Sequence, residues 1–122
     1  MTREAAVFDT NILIDYLNGI PEAKATLAAW NNKPAISAIT WMEVMVGAKK
    51  FGQEGATRHF LTQFEVLPVS QAVAQEAVGV RTQFGMKLPD AIILATTRVN
   101  GRRFVTRNSR DFERVPGVVL PY

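Results

Sequence analysis

A chain of 122 residues with 48% apolar content can bury one hydrophobic core, and it is too apolar for a disordered segment. The absence of cysteine excludes disulfides and thiolate zinc sites, and fits a reducing cytoplasm. The net charge of +3 comes from the second half: residues 1–61 hold six basic and six acidic side chains, residues 62–122 eight and five.

Ala5 to Phe8 reads as a buried strand, and Asn11 to Asn18 as a helix stopped at Gly19-Ile20-Pro21. Glu22 to Trp30 is a second helix, followed by the turn Asn31-Asn32-Lys33-Pro34. Ala35 to Ser37 is a short strand and Ile39 to Lys50 a helix. Gly52 and Gly55 are expected to break the chain before a helix over Thr57 to Phe64. Glu65 to Val69 reads as a third strand. Ser70 can cap a helix over Gln71 to Phe84, which Gly85 ends. Pro89 suits the first turn of a helix running to Val99. Asn100-Gly101 then turns the chain into a strand over Arg102 to Thr106, and Val118 to Leu120 adds an edge strand.

Strands separated by helices predict an α/β sandwich: a mostly parallel sheet of about four or five strands between helical layers, one domain over residues 1–122. No apolar run is long enough to span a bilayer. Met1-Thr2-Arg3-Glu4 opens no apolar stretch, so no leader peptide is expected.

In such sheets ligands bind beyond the carboxyl ends of the strands, and acids stand where elements begin or end. Asp9 follows the first strand; it suits an N-cap as well as an oxygen ligand. Glu43 fits a capping box with Thr40, or a position inside a helix that starts at Ser37 or Ala38. In the second case it shares a face with Ile39 and Val46 and needs a partner. Asp90 opens a helix apolar all round, where its charge also suits the helix dipole. Asn108 and Asp111 follow the fourth strand, in sequence that turn chemistry also explains. Acids among so much apolar sequence need compensation. A hard divalent cation supplies it and keeps waters for chemistry, which points to a metal-dependent enzyme acting on phosphate.

His59 is the lone histidine and is expected to be exposed, and without a nearby Ser or Cys nucleophile motif no catalytic triad is arguable. Asp15 and Glu22 read as solvated helix residues, and Trp30 and Trp41 as core or interface. Six arginines lie between Arg98 and Arg114, a density that can follow a phosphate backbone.

Four segments resemble, in order, those of the PIN-domain ribonucleases, in particular the VapC toxins of type II toxin–antitoxin systems. They are Phe8-Asp9-Thr10-Asn11-Ile12-Leu13-Ile14-Asp15-Tyr16-Leu17, Ile36-Ser37-Ala38-Ile39-Thr40-Trp41-Met42-Glu43-Val44, Leu88-Pro89-Asp90-Ala91-Ile92-Ile93-Leu94-Ala95-Thr96 and Val105-Thr106-Arg107-Asn108-Ser109-Arg110-Asp111-Phe112. The resemblance implies the PIN-like three-layer fold and Asp9, Glu43 and Asp90 as Mg²⁺ or Mn²⁺ ligands. A fourth acid often stands where this chain has Asn108, so Asp111 is expected to supply that charge to the catalytic set. Thr10, Asn11, Thr40, Thr106 and Asn108 match small polar positions beside such sites. Arg102, Arg107 and Arg110 are expected to hold RNA. The implied activity is hydrolysis of structured RNA, such as tRNA or rRNA, to 5′-phosphate and 3′-hydroxyl ends. The implied partners are a VapB-type antitoxin and a second copy of the chain, with no membrane.

Other readings fit less of the sequence. A dehalogenase-like site needs an acid where Asn11 stands, and a receiver needs one where Ser70 follows the third strand. A degenerate PIN domain that binds without cutting draws on Asn108. A regulatory PIN protein bound to a DNA-binding partner would share the same motifs.

Overall fold

The computed structural model describes residues 4–122; Met1, Thr2 and Arg3, read above for a leader, lie outside the described residues. The elements in chain order are β1 (Ala6–Phe8), α1 (Thr10–Leu17), α2 (Pro21–Ala29), β2 (Ala35–Ser37), α3 (Ala38–Lys50) and α4 (Glu54–Leu61). Then come β3 (Glu65–Leu67), α5 (Gln71–Phe84), α6 (Leu88–Val99), β4 (Arg103–Val105), α7 (Ser109–Phe112) and β5 (Val118–Val119). The strands form one sheet in the order β3-β2-β1-β4-β5, with every pairing parallel. The expected α/β sandwich is therefore present, and the sheet is wholly parallel.

Alternation along the short strands sorts the core into two layers. Ala6, Phe8, Ile36 and Val105 face one side, where they meet Ile12, Leu13, Val44, Met45, Leu61 and Phe64. Val7, Ala35, Leu67 and Phe104 face the other and pack on Val80, Ala91, Ile93, Leu94 and Phe112. Helix α6 is buried over most of its length, as its apolar sequence requires. Trp30 is in the core and Trp41 packs against it, while His59 is exposed. Among the described residues no helix is long and apolar enough to cross a membrane.

Local chemistry accounts for the element ends. Ser70 caps α5 through its hydroxyl, which accepts from the Val73 N–H at 3.2 Å, and Gly85 ends that helix in the left-handed region at φ 71°. Two expectations are corrected. Gly55 lies inside α4 and does not break the chain; the break is at Gly52, where φ is 68°. The segment after β4 is not only a turn. Ser109–Phe112 forms a short helix, because the Asn108 side chain accepts from the Asp111 N–H and substitutes for helical periodicity.

The chain steps outward from β1 through β2 to β3, then returns beside β1 as β4. The order therefore reverses between β1 and β4, and that crevice opens at the strands' carboxyl ends.

Candidate active site

Asp9 stands at the mouth of this crevice. Its N–H donates to the Val105 carbonyl (2.9 Å), which continues the β1–β4 ladder one residue past the strand. Its side chain is 3% exposed and receives two hydrogen bonds. The Thr10 N–H donates to Oδ1 at 2.8 Å, and the Thr106 hydroxyl donates to Oδ2 at 2.6 Å. Asp9 thus caps α1 and remains a buried carboxylate, so the two roles weighed from sequence coexist. Burial pushes its pKa up to about 6; the bonds from Thr106 and Thr10 oppose that rise, and the charges of Asp90 and Glu43 add to it.

Thr106 is the hub of the β4 side. Its oxygen also accepts from the Asn108 N–H (3.0 Å) and, more weakly, from Asn11 Nδ2 (3.4 Å). Asn11 Oδ1 in turn accepts from the Arg107 N–H at 3.2 Å. The N-terminus of α1 and the loop after β4 are therefore stitched together around Asp9.

Glu43 comes from the second turn of α3. Ser37 is the cap of that helix, its hydroxyl accepting from the Ile39 N–H at 3.1 Å, so the capping-box reading of Thr40 and Glu43 does not hold. The apolar-face reading is corrected too. Val46 is 69% exposed, and Glu43 lies on the solvent side. Its partner is the Thr10 hydroxyl, which donates to Oε1 at 2.6 Å and shares a 3.0 Å hydrogen bond with the fully buried Thr40 hydroxyl.

Asp90 lies half-buried in the first turn of α6. Burial raises its pKa first, followed by the negative charges of Asp111 and Glu43, against a lowering by Lys87. Asp111 is held by the Asn108 amide, whose Nδ2 donates to Oδ2 at 2.8 Å while Oδ1 accepts the Asp111 N–H at 3.2 Å. The two residues form a reciprocal cap on α7, which is the structural use of Asn108.

Asp9, Glu43, Asp90 and Asp111 consequently share one negative field drawn from four separate elements. Among the described residues no three acids converge into a ready-made cage for an ion. Thr10, Asn11, Thr40, Thr106 and Asn108 are the polar groups that bind or flank these acids.

The arginines divide. Arg107 stays at the rim, with its Nε 2.6 Å from Asp15. Asp15 is not a solvated helix residue, since it also accepts from the Tyr122 hydroxyl at 2.9 Å. Arg110 is exposed and lies 3.8 Å from Asp111. Arg102 is not brought to the site. It precedes β4 and binds the Lys33 carbonyl (2.7 Å) and Glu65 (2.8 Å), residues at the amino ends of β2 and β3, on the opposite rim of the sheet. Spacing along the chain could not separate the two rims.

Beside Glu43 runs a groove of about 580 Å³ between α1, α3 and α4, lined by Ile14, Leu17, Val44, Ala48 and Phe51. Phe51 is 73% exposed there, and no sequence pattern had marked it. The signal was present in Ile14, Leu17 and Phe51 as apolar residues unused by the core.

Residues 6–118 match the family model of the PIN domain. The chain is 30% identical to the tRNA(fMet)-specific endonuclease VapC of Shigella flexneri, over 92% of each chain. It is 26% identical to ribonuclease VapC2 of Rickettsia felis, over 93% of this chain and 94% of that one. A chain in the structure of a toxin–antitoxin complex from Klebsiella pneumoniae superposes with a TM-score of 0.94 at 53% identity, covering 97% of this chain and 98% of that one. With the β1–β4 crevice and its four acids in the order of the four sequence segments, this chain belongs to the PIN domain family, among the VapC proteins.

Proposed function

We propose that this protein is a Mg²⁺- or Mn²⁺-dependent endoribonuclease, the toxin of a toxin–antitoxin module, cutting structured RNA such as tRNA or rRNA. The observation that carries the reading is that Asp9, Glu43, Asp90 and Asp111, from four separate elements, share one negative field, with Asp9 and Asp90 both raised partly by neighbouring acids. Like charges in one field disfavour full ionisation unless a cation offsets them.

The donor set suits a hard ion. It is all oxygen, with no histidine or cysteine in it, and Mg²⁺ is held by one or two carboxylates while keeping several waters. That habit agrees with acids that share a field without closing a cage. Asp9, Glu43 and Asp90 would hold the ion, and Asp111 would add charge from the α7 side. When bound, a divalent cation lowers the pKa of a water and neutralises phosphate charge.

The protein's own groups do the positioning. Thr106 and the Thr10 N–H fix both oxygens of Asp9, and the Thr10 hydroxyl holds one oxygen of Glu43. Asn108 aims Asp111. A water attacks phosphorus in line and the ribose 3′ oxygen leaves, giving 5′-phosphate and 3′-hydroxyl ends without a covalent enzyme intermediate.

A VapB-type antitoxin is the proposed partner, since the Klebsiella relative is in a toxin–antitoxin complex. The apolar groove at Ile14, Leu17 and Phe51 supports an antitoxin segment bound there and reaching the acids past Glu43. A homodimer in the cytoplasm completes the reading. The test is metal-dependent cleavage of cellular RNA by antitoxin-free protein, with end-mapping of the fragments. Folded protein that leaves RNA intact in both metals would favour a PIN domain that binds without cutting.

A further inference from the structure

The basic groups of residues 62–122 fall into two classes. Arg102, Arg103, Arg107 and Arg110 each have a carboxylate within ion-pair distance, namely Glu65, Glu4, Asp15 and Asp111. Arg81, Lys87, Arg98 and Arg114 have none among the described residues. Two of these four reach Phe84 from different parts of the chain, and a third reaches Met86, two residues further on. Arg81 lies one turn before Phe84 in α5, and its Nη1 donates to the Met86 carbonyl at 2.6 Å. The Arg98 guanidinium, from the last turn of α6, sits 5.6 Å from the centre of the Phe84 ring. Arg114, beyond α7, reaches the Phe84 carbonyl with Nη2 at 3.4 Å.

Each guanidinium is oriented by a backbone carbonyl or a ring, which leaves most of its five N–H donors for a ligand. All three side chains belong to exposed residues. Lys87 joins this cluster to Asp90, whose charge it favours. Arg98 lies eight residues after Asp90, a rise of about 12 Å along α6. A strand with one phosphate at Asp90 can therefore place a neighbouring phosphate on this surface within a few nucleotides.

We propose that Arg81, Arg98 and Arg114 around Phe84 and Met86, with Lys87 as the link to Asp90, form the track for the RNA backbone flanking the cut site. The inference rests on the ribonuclease reading and assigns its substrate-binding surface, which the arginine-rich run 98–114 does not by itself locate. Guanidinium groups without carboxylate partners lose no ion pair when they bind phosphate, whereas Arg102 and Arg107 would have to.

The test uses the full chain with Arg98→Gln and Arg114→Gln combined. Arg58→Gln serves as a control: this arginine stacks on Trp41 in the opposite helical layer. Binding of a labelled single-stranded oligoribonucleotide is measured in EDTA over a range of salt, with melting temperature as the check on folding. Cleavage in Mg²⁺ is measured alongside. The track predicts several-fold weaker binding for the double variant and a salt slope shallower by about 1.4, at about 0.7 for each lost phosphate contact. Arg58→Gln should match the wild type. Should the double variant fail to fold, Arg98→Lys, which keeps the charge, and Arg98→Gln are compared singly, and only the latter should reduce the slope. Wild-type cleavage with unchanged affinity and slope in the variants would overturn the track and leave the ribonuclease reading standing. Unchanged RNA binding with lost binding of polyglutamate would assign the surface to an acidic protein and overturn it as well. A wild-type protein that neither binds nor cuts RNA would overturn both.

Discussion

Thr106 and Asp9 lie 97 residues apart in sequence and meet through a buried 2.6 Å hydrogen bond. That bond ties the loop after β4 to the end of β1, and with it Asn108 and Asp111 to the first acid of the site. Thr106→Val keeps the shape and removes a donor and an acceptor, leaving the Asn108 N–H without its partner. The expected cost is about 1–3 kcal/mol of stability, together with a larger fall in kcat than in substrate affinity. Denaturant unfolding and steady-state cleavage would check both parts.

The raised pKa of Asp9 makes stability depend on pH. The group holds its proton up to about pH 6 when folded and releases it near 3.8 when unfolded. Between those values the folded state binds more protons, so stability falls as pH rises through the window and the loss is complete above it. At 1.36 kcal/mol per pKa unit the full effect is about 3 kcal/mol. Metal-free protein should therefore melt at lower temperature at pH 7 than at pH 5. Asp9→Asn should flatten that profile while abolishing cleavage, and a pH-independent wild-type melt would contradict the origin given for the shift.

The Asn108–Asp111 cap offers a way to alter the charge of the site. Asn108→Asp would replace the amide that donates to Asp111 with a second carboxylate. The metal-free protein should lose about 1 kcal/mol, and Mg²⁺ should raise its melting temperature more than that of the wild type. Equal Mg²⁺ shifts in the two proteins would place this position outside the field of the ion.

Asp15 joins Arg107 to the hydroxyl of Tyr122. Because Arg107 is half exposed, Asp15→Asn should cost about 1 kcal/mol or less. It should also free Arg107, so RNA affinity in EDTA is expected to rise modestly. Lower affinity would mean that the pair presents Arg107 to RNA in its bound form.

Much of the candidate site was legible because acids next to apolar runs are conspicuous. Asp9 after its strand and Asp90 before its buried helix were both visible in this way, as was the order of strands and helices. Features that depend on contacts between distant residues were not visible. Helix α7 is four residues long and rests on one side-chain exchange, so it leaves no periodicity. Gly55 is helical because its neighbours are, overriding its intrinsic preference. The spacing of Glu43 with Val46 marked a shared face but not that the face is open to water. The run of arginines gave charge without direction: folding sends Arg102 to the far rim and Arg98 and Arg114 to Phe84.

Asp9, Glu43, Asp90 and Asp111 are proposed to form a metal-dependent phosphodiester-cleaving site. The most direct measurement is cleavage of total cellular RNA by antitoxin-free protein in Mg²⁺, beside the same protein in EDTA and folded Asp90→Asn in Mg²⁺. Discrete fragments with 5′-phosphate ends, present only for wild type with metal, are the predicted result. Equal cleavage by Asp90→Asn, or in EDTA, would contradict it.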